Sequence, residues 1–189
     1  MPASRPTTRT GPDPLLLDGI DALGWTGTVV DRVRMFGERV TVVATVDHQA
    51  HADRVASGWA PVMDAATLTS WDELPELWPT VPPRVVRLVG ICGRYRTWRG
   101  GMAGAGRLSG FAATAFLVER DPGDEGLLNA LWYGVGVLRA APDGGVRLVQ
   151  SGHNGPAPTS RYGALRRESE EIVYRRLILD GVLTGPPGA

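Results

Sequence analysis

The chain contains no lysine: all 20 of its cations are arginines, set against 20 Asp and Glu. Every positive charge is therefore a planar guanidinium fork, suited to bidentate pairing with carboxylate or phosphate. GC-rich coding accounts for the bias, since the chain also holds 25 Gly and 15 Pro. Cysteine is nearly absent too. Cys92 stands alone, which excludes an intrachain disulfide, and its apolar setting Leu88-Val89-Gly90-Ile91-Cys92 marks a buried structural thiol rather than a nucleophile. Long hydrophobic runs are missing. The longest, Gly126 to Leu138, falls short of the ~20 residues that a membrane helix needs. Leu15-Leu16-Leu17 is cut off by Asp18 and Asp21, short of a secretory core. No membrane association and a cytoplasmic location are the expectations.

One further absence is local. Between Glu76 and Glu119 there is no acidic residue, yet Arg84, Arg87, Arg94, Arg96, Arg99 and Arg107 all fall there. Residues 1–76 carry 6 Arg against 11 Asp and Glu, so a chain of zero net charge is sorted along its length. The basic window also holds Tyr95, Trp98 and the run Gly100-Gly101-Met102-Ala103-Gly104-Ala105-Gly106. Fixed positive charge, aromatic faces and bare backbone N–H groups suit an anionic partner. If residues 84–98 form one extended strand, Arg94, Arg96 and Trp98 share a face at a spacing of two. Guanidinium groups beside an indole neutralise phosphates while the ring stacks on a base, as single-strand binding requires. The competing reading has these arginines solvated or salt-bridged to the acid-rich first half.

At 189 residues with 43% hydrophobic and 21% charged residues, the chain is an ordinary globular composition. Residues 1–13 read as a mobile tail, 14–182 as a single domain and 183–189 as a loose tail. Leu15 to Leu23 fit a short helix that stops at Gly24. Val29 to Val46 read as a hairpin in which Gly37 takes the first central position of a type II′ turn. Residues 48–83 form a long connection containing Trp59, Trp71 and Trp78, a lid or a structural cover. Ser70-Trp71-Asp72-Glu73 has capping-box spacing and predicts a helix over 71–77. Strands are expected at 84–92, 111–118, 131–139 and 146–150, with a turn at Pro142-Asp143-Gly144. Six strands without a strand–helix–strand rhythm predict an α+β, mainly β fold: a small antiparallel barrel or strongly curved sheet, with a helix at each end.

The last helix is expected after Thr159 or Ser160 and through Leu179, ending at Gly181. Leu165, Ile172 and Leu179 define the face that docks on the core. Tyr174, Leu177 and Ile178 then project elsewhere and predict a homo-oligomer or protein partner through this helix.

Two other constellations bear on chemistry. Asp47-His48-Gln49-Ala50-His51-Ala52-Asp53 gathers two imidazoles and two carboxylates, and His153 lies far off. His48, His51, Asp53 and His153 are the candidates for acid–base work, but no diagnostic metal-ligand spacing accompanies them, and no metal is assigned. The glycine run lacks the spacing and terminal Lys-Ser/Thr of a phosphate-binding loop, no dinucleotide fingerprint is present, and no cofactor is expected. The leading reading is non-catalytic binding of an anionic ligand, single-stranded nucleic acid above all, through Arg87, Arg94, Tyr95, Arg96, Trp98, Arg99 and Arg107. The alternatives are a small-molecule enzyme using the histidines in a lidded barrel cavity, and a structural subunit of a larger assembly.

Overall fold

The computed structural model describes residues 12–158 and 163–185. Helix α1 (Pro14–Ala22) is followed by strands β1 (Thr28–Met35) and β2 (Glu38–Val46), then helices α2 (His48–Ala56) and α3 (Ala65–Glu73) and a 3-10 turn at Pro75–Thr80. Strand β3 (Val86–Arg94), helix α4 (Trp98–Leu108), strand β4 (Ala113–Val118), helix α5 (Gly123–Tyr133) and strand β5 (Gly136–Ala140) alternate. Strand β6 (Val146–Gln150) and helix α6 (Ala164–Leu179) complete the order. The six strands form one sheet in sequential order, antiparallel from β1 to β3, parallel from β3 to β5, and antiparallel again at β6. The sheet is open, with β1 and β6 as its edges, so the fold is mixed α+β and not a barrel.

The expected barrel fails because two segments that read as loop and strand are helices. Parallel neighbours need a crossover, and α4 and α5 supply the two here. The glycine run forms most of α4, started by Thr97, whose side chain accepts from the Gly100 N–H at 3.2 Å. Its glycines serve close approach. A Cβ on Gly104 would lie 2.0 Å from the Tyr95 hydroxyl, and one on Gly101 would lie 2.5 Å from the Phe116 ring. Each costs up to about 1 kcal/mol of helix propensity, offset by the aromatic packing it permits. Leu131 to Tyr133 belong to α5, which Gly134 ends in the left-handed conformation at φ 64°, and the strand begins only at Gly136.

Smaller corrections have equally local causes. The hairpin turn is centred on Phe36 and Gly37, both at positive φ (47° and 84°), which is a type I′ turn and not type II′. Phe36 is held in that unfavoured conformation by stacking on Phe111 at 4.8 Å. The histidine segment is a helix because Asp47 caps it, accepting from the Ala50 N–H at 2.9 Å. The cap of α3 is Asp64, six residues before Ser70, which sits inside the helix. Thr159 and Ser160 lie outside the described residues, as does residues 1–11 of the expected amino-terminal tail and residues 186–189 of the carboxyl-terminal one.

Helices α4, α5 and α6 cover one face of the sheet and α1 the other. Helix α6 docks through Val173, Tyr174 and Leu177, while Leu165 is 59% and Leu179 66% exposed. This overturns the expected docking face at Leu165 and Leu179, whereas Ile172 packs half-buried against the core as expected. Apolar spacing misled because the buried stripe of α6 also carries charge: Arg167 and Glu171 point inward. Glu171 accepts from both terminal nitrogens of Arg54 on α2, at 2.8 and 3.0 Å, and from the Val62 N–H at 3.0 Å, and it forms an ion pair with Arg167 at 2.9 Å. Arg54 also donates to the Ala60 carbonyl at 2.8 Å, and Arg167 to that of Pro82 at 2.7 Å. One carboxylate thereby ties α2, α6 and the 59–83 connection to one another.

Removing Glu171 strands two buried guanidinium groups. Glu171→Leu is expected to lower stability by about 3–5 kcal/mol, the cost of leaving a buried charge without its partner. Urea unfolding followed by circular dichroism measures it, and a loss below about 1 kcal/mol, the ceiling for an exposed pair, contradicts the assignment.

Candidate anion-binding groove

The residues of the basic window do not form one stripe. Strand β3 ends at Arg94, Arg96 lies in the following turn and Trp98 opens α4, so the spacing of two does not carry through. Most of their charge is met by carboxylates. Arg94 bridges Asp13 at 3.0 Å and Glu119 at 2.7 Å, and these two partners hold its pKa above the usual value. Arg99 reaches Glu125 at 3.1 Å and lies 4.5 Å over the Trp98 ring, which is itself packed against the α4–α5 core. Arg107 pairs with Glu38, which also accepts from the half-buried Tyr95 hydroxyl at 3.0 Å. Burial and that carboxylate push the phenol pKa well up. Arg87 and Arg96 are exposed and form no ion pair among the described residues.

The histidines are not brought together. His48 and His51 sit on α2, whereas His153 follows β6 with its ring against Gly134, where a Cβ would meet its Nδ1 at 2.2 Å. Asp53 is exposed and accepts from Gln49 at 2.9 Å. Among the described residues no group of three His, Cys, Asp or Glu is placed to hold a metal ion. A mostly apolar cavity of about 540 Å³ does lie under the long connection, between Trp71, Trp78, Pro82, Pro83 and Arg167, and none of the three histidines lines it. Cys92 is fully buried, and loss of solvation pushes its thiol pKa up to about 12, which removes it as a nucleophile at neutral pH.

Uncompensated positive charge gathers elsewhere, between the β1–β2 hairpin and α6. A depression of about 600 Å³ is lined by Arg32, Arg34, Arg39, Arg175 and Arg176, with Val33, Met63, Ile172 and Leu179 as its apolar walls and no carboxylate. Alternation along β1 and β2 explains how the hairpin contributes. Val33, Met35 and Val40 go into the core, and Arg34 and Arg39 come out as a directly opposed cross-strand pair. Arg34, Arg39 and Arg175 have no ion pair among the described residues, while Arg32 and Arg176 lean on Asp31 at 3.4 Å and Asp180 at 2.8 Å. Arg32 sits at φ 55° in the bulge where the register jumps from Val30 to Val33, which turns it out of the ladder. An adjoining depression of about 520 Å³ shares Arg32 and Arg39 and continues to Arg94, beside Asp13 and Asp31. The basic surface thus runs from α6 over the free β1 edge.

Like charges opposed across a ladder destabilise it. A second such pair in the sheet, Arg139 opposite Arg147, is relieved by Asp121, 2.8 Å from Arg139. Arg34 and Arg39 have no such relief. The sequence held one legible signal, the placement of Arg32 and Arg34 between apolar residues of β1. Their convergence with Arg175 and Arg176 depends on where α6 packs. Comparison with protein-family models, curated proteins and solved structures finds no match.

On α2, His51 Nδ1 lies 3.1 Å from the hydroxyl of buried Tyr174. Desolvation first, then the charges of His48 and Arg54, hold the His51 pKa below 6.5. The folded chain therefore binds fewer protons here than the unfolded chain, so its stability falls as pH drops below about 6.5 and levels off below the folded pKa. Melting temperatures from pH 8 to 5 are expected to fall less steeply for His51→Gln than for wild type; parallel curves contradict this.

Proposed function

We propose that this protein binds a polyanion, the phosphate backbone of nucleic acid, in the arginine groove between the β1–β2 hairpin and α6. The observation that carries this reading is the opposed, unneutralised pair Arg34 and Arg39, an arrangement that costs stability until an anion bridges it. Arg175 faces the same space from α6, and Arg32 and Arg176 retain donors beyond their single carboxylate contacts. The groove has aliphatic walls and no aromatic platform, which favours phosphate contacts over base stacking and makes binding tolerant of sequence. Arg94, at the far end, is already held by two carboxylates and extends the path rather than anchoring it. Because the chain has zero net charge, the attraction is local to the groove.

Fluorescence anisotropy with a labelled oligonucleotide, single-stranded and duplex, tests the proposal. The triple variant Arg34→Ala, Arg39→Ala, Arg175→Ala is expected to bind single strands roughly a hundredfold more weakly. Its slope of log affinity against log salt should flatten by about 2, close to 0.7 for each lost phosphate contact. Wild type that binds neither oligonucleotide at low ionic strength, or a triple variant that binds as wild type does, overturns it.

A further inference from the structure

The opposite edge of the sheet has the reverse character. On α5, Leu128, Leu131, Trp132 and Tyr133 are all more than half exposed, with Trp132 at 84%. Val149 stands out at the bulge of edge strand β6, and the Gln150 side chain, on the α5 face, lies against Leu127 and Leu131, which joins the two elements. From their exposed fractions, these five residues offer on the order of 650 Å², above the ~300–600 Å² of the largest patch on a typical monomer and approaching the ~800 Å² per partner of a standard interface.

We infer that this surface binds a second copy of the chain in a two-fold dimer, with α5 packed against α5. Charge decides the occupant. Between Glu125 and Arg139 the sequence has no acid or base apart from the phenol of Tyr133, and the only charged residue of β6, Arg147, flanks the patch. A partner with its own charge pattern finds nothing there to pair with. A two-fold contact sets a surface against a copy of itself, so residues near the axis meet their own kind, which like charges disfavour and an uncharged surface permits. Geometry agrees. Helix α5 packs over β5 and β6, so two sheets meeting at their β6 edges place the two α5 axes roughly 10 Å apart, the spacing at which helices interlock. The Trp132 side chains then fill the seam, as aromatic anchors do at the centre of an interface.

This inference does not depend on the arginine groove, which lies at the other edge of the sheet. Light scattering on protein stripped of nucleic acid in high salt separates the two. Wild type at micromolar concentration is expected at twice the 20.2 kDa chain mass. Leu131→Glu with Trp132→Glu changes only exposed side chains, so it should keep the wild-type circular dichroism and melting profile while weakening association roughly a hundredfold or more. Leu165→Glu, at an exposed apolar site on α6, should leave the mass unchanged. Wild type with the mass of one chain, or of more than two, overturns the inference. So does a double variant that remains dimeric, or dissociation caused by the Leu165 substitution.

Discussion

Glu171 lies at the centre of a buried ionic cluster that joins α2, α6 and the 59–83 connection. Its carboxylate accepts three hydrogen bonds, two from Arg54 and one from the Val62 N–H, and forms an ion pair with Arg167. Both arginines turn their remaining terminal donors to carbonyls of the 59–83 connection. In a low-dielectric interior such a group is favourable only while nearly every donor is met, so the cluster fixes geometry more than it adds stability. A connection that crosses from β2 to β3 without strands of its own is ordered in this way. Its indoles take part at the margin, with Arg167 lying 5.8 Å over the Trp71 ring.

The same cluster sets the position of the groove. Arg175 and Arg176 follow Glu171 by about one turn of α6, so anchoring Glu171 fixes the rotation of the helix and the side to which those two guanidinium groups project. The hairpin supplies the facing wall, and its own register is pinned by Val33, Met35 and Val40 in the core. Two rigid elements, each held by buried contacts, thus keep five like charges close together. That concentration of charge, and not the net charge of the chain, is the electrostatic feature an anion would meet.

Much of the local structure was legible in the sequence. Both ends of α1, the alternation of β1 and β2 and the limits of β6 follow from apolar periodicity and turn residues. What failed was composition used as conformation. The glycine run suggested a loop, but its glycines admit Tyr95 and Phe116 to a helix surface. The alternation from Leu131 to Val137 suggested a strand, but Gly134 divides it between α5 and β5. On α6 the buried face includes ions, which no count of apolar residues detects. Arginines are dense in sequence between Arg84 and Arg107, but the basic surface lies elsewhere. Folding pairs several of those with carboxylates from the acid-rich parts, and leaves Arg34 and Arg39, which lie in the acid-rich residues 1–76, without an ion pair among the described residues. Charge sorted along a sequence is not charge sorted in space.

The order in which the elements appear along the chain bears on how the protein is made. Arg54 and Glu171 are 117 residues apart, and α6 leaves the ribosome after all the other described elements. Until it does, Val30, Val42, Val86 and Ile91 form a sheet face without its main cover, and Arg54 has no carboxylate to meet. The first half of the chain therefore cannot settle cotranslationally into its final packing. A sheet that lacks this cover presents an open apolar face, the kind of surface that aggregates or engages chaperones until the helix docks.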